Sequence, residues 1–269
     1  VKDRRTVEEI AGSAMVGTIP FDKDVEVNHA IAFSDGSSVS AEAFRELRTN
    51  LQFLEVDHPP RVIVVTSSLP SEGKTTTAVN IALVLAEAGK SVCLMEGDLR
   101  KPRVSKYLGL LGSVGVSSVL SGQATLDDVL QSTEFDGLTV LASGPIPPNP
   151  SELLGTDTAK HVLEELRARY DYVIIDASPL LPVTDAAVLA AMSDGALVIA
   201  RHGSTKCDEL ARAVGNLQSV GAHVLGTVIT MTPSRGRNAY EYSYYYESDK
   251  SLPQLTAVPA LNAHRSEVG

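Results

Sequence analysis

The chain has 269 residues, of which 43% are hydrophobic and 21% charged, so it can bury one substantial core with flanking segments. The formal net charge of −10 argues against a nucleic-acid partner, because phosphate backbones require a basic footprint. Cys93 and Cys207 form neither a disulfide framework nor a metal-ligand spacing. The sequence also lacks an apolar run of the roughly 20 residues needed to cross a bilayer.

Residues 1–38 are predicted to be a polar lead-in, interrupted by glycine, proline and serine. A helix is predicted from Ser40, its N-cap, because apolar residues between Phe44 and Leu54 recur at helical spacing.

From residue 61, short β-branched runs alternate with helical patterns, which predicts an α/β fold with a doubly wound, mostly parallel sheet. Its ligand is expected beyond the carboxyl ends of the strands. The predicted strands are 62–66, 91–95, 138–142, 172–176, 196–200 and 223–229. The predicted helices are 74–88, 115–121, 125–131, 156–169, 184–191 and 206–219.

A phosphate-binding loop follows the first of these strands. The fragment SLPSEGKT, from Ser68 to Thr75, has Walker A spacing except that serine replaces the first glycine. Its backbone N–H groups would surround a phosphate at a helix N-terminus. Lys74 would reach the β- and γ-phosphates of ATP, and the Thr75 hydroxyl would ligate Mg²⁺. A coincidental Gly-Lys-Thr turn is disfavoured, because a strand precedes the fragment and a helix follows it. The predicted nucleotide-binding residues are Ser68, Ser71, Glu72, Gly73, Lys74, Thr75, Thr76 and, at the last strand, Thr230.

Three carboxylates follow predicted strands. Glu96 and Asp98, two positions apart, are expected to point together toward the phosphate loop. Asp176 ends the apolar run YVIID, as a Walker B aspartate does, and would hold Mg²⁺ directly or through water. The alternatives are a solvated acidic turn for the first pair and a strand-end turn residue for Asp176.

Five of the eight tyrosines fall within seven residues near the C-terminus, in the acidic run YEYSYYYESD. This composition predicts a solvated tail rather than a packed strand, so the phenols are candidate phosphate acceptors. A sticky terminal segment or an edge strand is the alternative. The candidate phosphoacceptors are Tyr240, Tyr242, Tyr244, Tyr245 and Tyr246.

Together these residues resemble the bacterial tyrosine kinases, which have a P-loop NTPase fold. The resemblance runs from about residue 40 to 246 through SSLPSEGKTTTAVNIA, LMEGDLRKPR, GPIPPNPSELL, YDYVIIDASPLLPVTDA and the tyrosine cluster. It implies an ATP- and Mg²⁺-dependent tyrosine autokinase with Thr75, Asp98 and Asp176 at the metal. The implied catalytic residues are Lys74, Glu96, Asp98 and Asp176.

The chain departs from the family at two of these positions. Glu96 stands where the family has an aspartate thought to help deprotonate the incoming tyrosine, and its longer side chain shifts that geometry. Thr230 stands where the family often has an asparagine that reads adenine.

Glu42, Arg45 and Arg48 look like the family's self-association motif, which implies a ring-like homo-oligomer that phosphorylates the tyrosines in trans. A solvated helix face with i,i+3 pairing is the alternative.

The implied organisation is a juxtamembrane-like lead-in at 1–38, a kinase domain at 39–232 and a tyrosine-rich tail at 233–269. The chain begins with Val1, and we expect a cytoplasmic piece of a longer protein at the bacterial plasma membrane. The implied partners are a transmembrane activator, or an upstream membrane segment, and proteins of capsular or extracellular polysaccharide synthesis.

Two rival functions share the Walker elements. A partition- or division-site-type ATPase would carry a signature lysine at position 69, where this chain has Leu69. A nucleotide-gated oligomeric scaffold without catalysis is disfavoured by the intact Lys74, Thr75, Asp98 and Asp176.

Overall fold

The structure is a computed structural model that describes residues 1–31, 38–54 and 59–233. The predicted phosphoacceptors Tyr240–Tyr246 lie outside these residues. The strands are β1 (Met15–Pro20), β2 (Val62–Ser67), β3 (Val92–Glu96), β4 (Leu130–Ser132), β5 (Leu138–Leu141), β6 (Tyr172–Asp176), β7 (Gly195–Arg201) and β8 (Val224–Thr232). The helices are α1 (Arg4–Ala11), α2 (Lys23–Asn28), α3 (Val39–Gln52), α4 (Lys74–Glu87), α5 (Val104–Tyr107), α6 (Val116–Leu120), α7 (Leu126–Val129), α8 (Pro150–Leu154), α9 (Asp157–Arg169), α10 (Asp185–Ala191) and α11 (Cys207–Ser219).

All eight strands form one sheet in the order β1-β8-β7-β2-β6-β3-β5-β4. Neighbouring strands are parallel except β4, which runs antiparallel to β5. Both faces of the centre are covered: Val62 and Val64 of β2 point into one apolar cluster, and Ile63 and Val65 into another. This arrangement confirms the predicted doubly wound, mostly parallel α/β fold.

The N-terminal segment contributes more than the predicted polar lead-in. It forms α1, β1 and α2, and β1 extends the sheet beside β8. The sequence does not predict β1 because it contains Gly17 and Pro20, and both residue types are depleted in strand interiors. Gly17 allows α3 to approach closely, since a Cβ there would lie 3.1 Å from Cδ1 of Leu47. Residues 1–31 therefore belong to the same compact unit, Val1–Thr232, as the phosphate loop.

The ends of two other elements also differ from those that the sequence predicts. Ser38, not Ser40, caps α3, accepting the Ala41 N–H at 3.4 Å. Ser40 instead donates to Asp22 Oδ2 at 2.8 Å. The helix predicted over 125–131 ends at Val129, and the chain continues directly into β4. Among the described residues, no helix is long and apolar enough to cross a membrane.

Candidate active site

The phosphate loop joins β2 to α4 at the carboxyl edge of the sheet. Its backbone turns through left-handed conformations at Ser71 (φ 66°) and at Gly73 (φ 92°), the N-cap residue of α4. The first amides of a helix have no intrahelical acceptors, and the helix dipole adds a partial positive charge at this end. The loop therefore has the chemistry of an anion site, as its sequence predicted.

Lys74 lies between two of the predicted carboxylates, Asp98 and Asp176. Its Nζ lies 2.9 Å from Asp98 Oδ2 and 3.4 Å from Asp176 Oδ1, and 3.3 Å from the Thr75 hydroxyl. Burial alone would lower the pKa of the ammonium group, but Asp176 and Asp98 outweigh it and raise that pKa. The structure thus brings three of the predicted residues, Thr75, Asp98 and Asp176, within hydrogen-bonding range of the Lys74 ammonium group.

Asp176 ends β6 with its side chain fully buried. Burial raises the pKa of its carboxyl, although Lys74 opposes the shift. Within the described chain, Asp176 Oδ2 is a buried atom without a hydrogen-bond partner, and so are the hydroxyl oxygens of Ser68 and Ser178. Buried polar atoms without partners are rare in folded proteins. The two carboxylates and Thr75 are hard oxygen ligands of the kind that Mg²⁺ prefers, and Lys74 suits a phosphate, so these residues fit Mg²⁺ and a nucleotide.

The main chain holds Asp98 in this position. The carbonyl oxygen of Asp176 accepts the N–H groups of Gly97 at 2.8 Å and Asp98 at 2.9 Å. Asp98 Oδ1 in turn accepts the N–H of Lys101 at 3.1 Å. The loop after β3 is therefore fixed to the end of β6.

Glu96 does not follow Asp98 toward the phosphate loop. Its buried carboxylate accepts the backbone N–H groups of Arg103, Val104 (2.6 Å) and Ser143 (3.3 Å). Burial raises the pKa of this carboxyl, and the three amides oppose the shift. The sequence could not reveal these acceptor contacts, because all three partners are backbone groups.

Two predicted nucleotide contacts have partners within the protein. Glu72 Oε2 accepts the Leu69 N–H at 2.9 Å, and Oε1 accepts the Thr205 hydroxyl. Burial raises the pKa of Glu72, and these donors oppose the shift. Thr230 Oγ1 donates to the carbonyl oxygen of Glu72 at 2.6 Å. Thr230 of β8 and Thr205, between β7 and α11, therefore both hold the phosphate loop through Glu72.

A pocket opens beside the phosphate loop, between β1, α2 and β8. It is lined by apolar groups of the N-terminal segment and by residues of the loop and last strand. These residues are Ile19, Pro20, Asp22, Val25, Glu26, Phe44, Gly73, Thr76, Thr77, Thr230 and Met231. The sequence did not indicate that the lead-in would form this wall, because its strand was not recognised.

A second charged cluster adjoins the site. Arg100 Nε lies 2.7 Å from Asp185 Oδ2, and Arg100 Nη2 lies 3.1 Å from Asp185 Oδ1. Ser151, on α8, donates to Asp185 Oδ1 and accepts from Arg100 Nη2 at 3.1 Å. Both oxygens of the buried Asp185 thus have partners. Ser151 belongs to the fragment GPIPPNPSELL, one of the segments that carry the family resemblance.

The predicted self-association residues lie along α3 against α4. Arg45 is 3.1 Å from Glu87 and 3.4 Å from Glu42, while Arg48 Nη1 donates to the Val84 carbonyl oxygen at 3.2 Å. Glu87, 42 residues from Arg45, is a partner that the sequence pattern did not indicate.

Comparison with known proteins agrees with this geometry. Residues 60–220 match the AAA domain family. The tyrosine-protein kinase YwqD of Bacillus subtilis is 38% identical over 224 residues, which cover 83% of this chain and 94% of YwqD.

The Escherichia coli tyrosine-protein kinase etk gives a structural match. Its kinase domain superposes with a TM-score of 0.82 at 29% identity, over 88% of this chain and 96% of that domain. The chain spans only 29% of full-length etk, at 32% identity. The septum site-determining protein MinD of Pyrococcus horikoshii, solved with Mg-ADP, shares the fold at 24% identity and a TM-score of 0.54. These matches confirm the P-loop NTPase fold.

Proposed function

The chain belongs to the bacterial tyrosine-protein kinases, and we propose that it transfers the γ-phosphate of ATP to tyrosines of its own C-terminal cluster on a second copy. One observation carries the proposal: Lys74 lies between Asp98 and Asp176 at the phosphate loop, beside a buried oxygen atom of Asp176 that has no partner among the described residues. An ATP phosphate with a bound cation would satisfy these groups.

Different residues of the site would bind the phosphates and the metal ion. The Lys74 ammonium would bind phosphate oxygens, and Thr75, Asp98 and Asp176 would hold Mg²⁺. The metal ion, when bound, neutralises charge on the phosphates. The residues at 71–76 would surround the phosphates with backbone N–H groups.

The pocket between β1 and β8 would take the nucleoside. It adjoins Thr76, directly after the Walker residues, and has apolar walls from Pro20, Val25 and Met231. Such walls suit the faces of a purine ring. Because the Thr230 hydroxyl is already bonded to Glu72, we propose that the base is held mainly by these walls.

In the transfer, a tyrosine phenol oxygen forms a bond to the γ-phosphorus. The bond from that phosphorus to the β–γ bridging oxygen breaks, and ADP leaves with the electron pair. The phenol proton passes to a carboxylate or to water. Phosphoryl transfer depends mainly on alignment and charge neutralisation, so a weakly basic acceptor is adequate.

The cellular setting is part of the same proposal. Contact between copies is proposed through Glu42, Arg45 and Arg48 because they resemble the family's self-association motif. Within one copy, both arginines also lie beside Glu87 of α4. The likeness of residues 1–38 to a juxtamembrane connector supports an upstream membrane segment or a transmembrane activator. The resemblance further supports work at the cytoplasmic face of the membrane, in control of capsular or extracellular polysaccharide synthesis.

A mixing experiment tests whether the chain phosphorylates tyrosine and whether it does so on a second copy. The Lys74→Met variant keeps the tyrosines, and a second variant, with phenylalanine at the five clustered tyrosines, keeps the site. With Mg·ATP, the mixture should place phosphotyrosine on the Lys74→Met chain at residues 237–250, while neither variant alone does so. Labelling of wild type without labelling of the mixture would contradict transfer in trans. An unlabelled wild type would contradict the activity itself.

The partition-type ATPase is the weaker alternative. This chain has Leu69 where that class carries its signature lysine. The etk kinase domain also superposes far better than MinD, with TM-scores of 0.82 and 0.54.

A further inference from the structure

The carboxylate of Glu96 joins two loops at the carboxyl edge of the sheet. One oxygen accepts the N–H groups of Arg103 and Val104, at the start of α5, and the other accepts the N–H of Ser143, just after β5. The side chain is fully buried, so no water competes for these bonds. Hydrogen bonds from backbone amides to a buried carboxylate are charge-assisted and stronger than neutral ones.

The segment closed by Glu96 carries residues of the site. Between Glu96 and Arg103 lie Asp98, 2.9 Å from Lys74, and Arg100, bonded to Asp185. The Glu96 bonds therefore fix the base of the loop whose tip presents Asp98.

The same contacts make Glu96 a poor proton acceptor for a tyrosine. A general base must have an oxygen within reach of the proton that it takes. Oε1 already accepts two fixed N–H donors, and Oε2, which accepts the Ser143 N–H, is buried out of reach of a phenol with the rest of the side chain. Asp98 and Asp176, by contrast, contact Lys74 directly.

We infer that Glu96 is a positioning residue, which holds the Asp98 loop through the amides of Arg103, Val104 and Ser143, and that it does not take the phenol proton. The inference rests on the proposed kinase activity for its catalytic consequence. An aspartate at this position would be shorter by one carbon–carbon bond, about 1.5 Å, and would not reach both loops from the same backbone. The glutamate thus suits the distance that it spans.

Substitutions at position 96 separate the two roles, because they reverse the expected order of activity. Glu96→Gln keeps an oxygen for the Arg103 and Val104 amides and loses only the long Ser143 hydrogen bond, where its NH₂ group would face the N–H donor. A positioning role therefore predicts a loss of kcat of less than about tenfold. Glu96→Asp keeps the charge but shortens the reach, and should lose more. Glu96→Ala should lose most. The assay is phosphate transfer to the Lys74→Met chain, with KM for Mg·ATP measured alongside.

A base role predicts the opposite order. Glu96→Asp would then retain activity, while Glu96→Gln and Glu96→Ala would both lose about 10²–10⁴-fold in kcat. That order would overturn the inference. A purely structural role would lower the melting temperature and leave kcat per folded molecule unchanged, which would overturn it as well. Positioning instead predicts that kcat falls and KM for Mg·ATP rises in Glu96→Ala at temperatures where it is folded.

Amide hydrogen exchange tests the clamp without any kinase activity. In wild type and Glu96→Gln, the amides of Arg103 and Val104 should exchange slowly, and in Glu96→Ala they should exchange at least about tenfold faster. The matched control is Glu134→Ala at an exposed residue, which should change neither amide. Equal exchange in wild type and Glu96→Ala would overturn the inference. An inactive wild type with intact protection would count against the proposed function only.

Discussion

Asp194, at the amino edge of the sheet, and Asp176, at the carboxyl edge, differ in how completely their carboxylates are hydrogen-bonded. At the amino edge, Asp194 accepts the N–H groups of Arg61 (2.7 Å) and Val62 (2.8 Å) and both terminal nitrogens of Arg167. At the carboxyl edge, Asp176 Oδ1 lies 3.4 Å from Lys74 Nζ, and Oδ2 has no hydrogen-bond partner in the part of the chain that the structure describes.

The pKa values follow the same division. Burial would raise the pKa of Asp194, but the Arg167 and backbone hydrogen bonds outweigh it and lower that pKa. Burial raises the pKa of Asp176 despite Lys74. The hydrogen bonds of Asp194 stabilise the fold, whereas Asp176, with Oδ2 unpartnered among the described residues, lies where we propose that the ligand binds.

Of the substitutions that test the contrast between the two edges, the one with the largest expected effect lowers catalysis. Lys74→Met should lower phosphate transfer by about 10³-fold or more, because it removes a preorganised cation from the phosphates. Lys90→Met, the same change at an exposed residue of the amino edge, is the matched control. An equal loss of phosphate transfer in both variants would contradict a special role for the carboxyl edge. Phosphotyrosine formation per minute, quantified by mass spectrometry, is the measurement.

The next effect is on stability, at the amino edge. Asp194→Asn should lower the free energy of unfolding by about 2 kcal/mol at pH 7, since the amide cannot accept all four donors. Because the folded pKa of Asp194 is lowered, its contribution is present above the ordinary value of 3.8 and is lost as the pH falls through the folded value. Urea unfolding should therefore show a gap between wild type and variant at pH 7 that narrows toward pH 3.

Asp136→Asn, at an exposed residue, controls for the loss of one negative charge. It should leave the free energy of unfolding unchanged. A gap for Asp194→Asn that stayed constant with pH would mean that its ionised form is not what stabilises this edge.

At the carboxyl edge, the matching substitution should raise the free energy of unfolding instead of lowering it. Asp176→Asn removes a carboxylate whose ionised form is disfavoured by burial, and Asp98 still pairs with Lys74. The nucleotide-free protein should therefore gain on the order of 1 kcal/mol at pH 8, the equivalent of about one pKa unit. Since the folded pKa of Asp176 is raised, wild type gains stability as the pH falls toward 3.8, and the difference should shrink. Calorimetric melting at pH 8 and pH 5 is the test. A destabilised Asp176→Asn would show that this carboxylate has the partners it needs.

The smallest effect concerns backbone strain in the phosphate loop. Ser71 has a φ of 66°, which disfavours residues with a Cβ, and its side chain is exposed. Ser71→Gly should raise the free energy of unfolding by about 0.5 kcal/mol, relief of strain being partly offset by chain entropy. Thermal melting of the two proteins would measure it. A loss of stability would show that the serine side chain stabilises this turn.

Sequence patterns predicted the central strands of the sheet but not the edge strand β1. The β-branched runs of β2, β6 and β7 are buried on both faces, so composition alone marks them. The edge strand β1 was missed because Gly17 and Pro20 interrupt its pattern.

The same division applies to the site. The contacts of Lys74, Asp98 and Asp176 follow from strand ends meeting at one edge, which a sequence can predict. The partners of Glu96 are backbone amides, and Glu87 reaches Arg45 through helix packing. Neither contact has a local signal, since each depends on how distant segments come together.

The most direct test of the contrast between the edges is the change in melting temperature on adding Mg·ADP. Wild type and Asp194→Asn should both gain several degrees at saturating nucleotide, because the ligand binds only the folded protein. Lys74→Met should gain much less. An equal gain in Lys74→Met and wild type, or no gain in wild type, would contradict the assignment of the carboxyl edge as the nucleotide site.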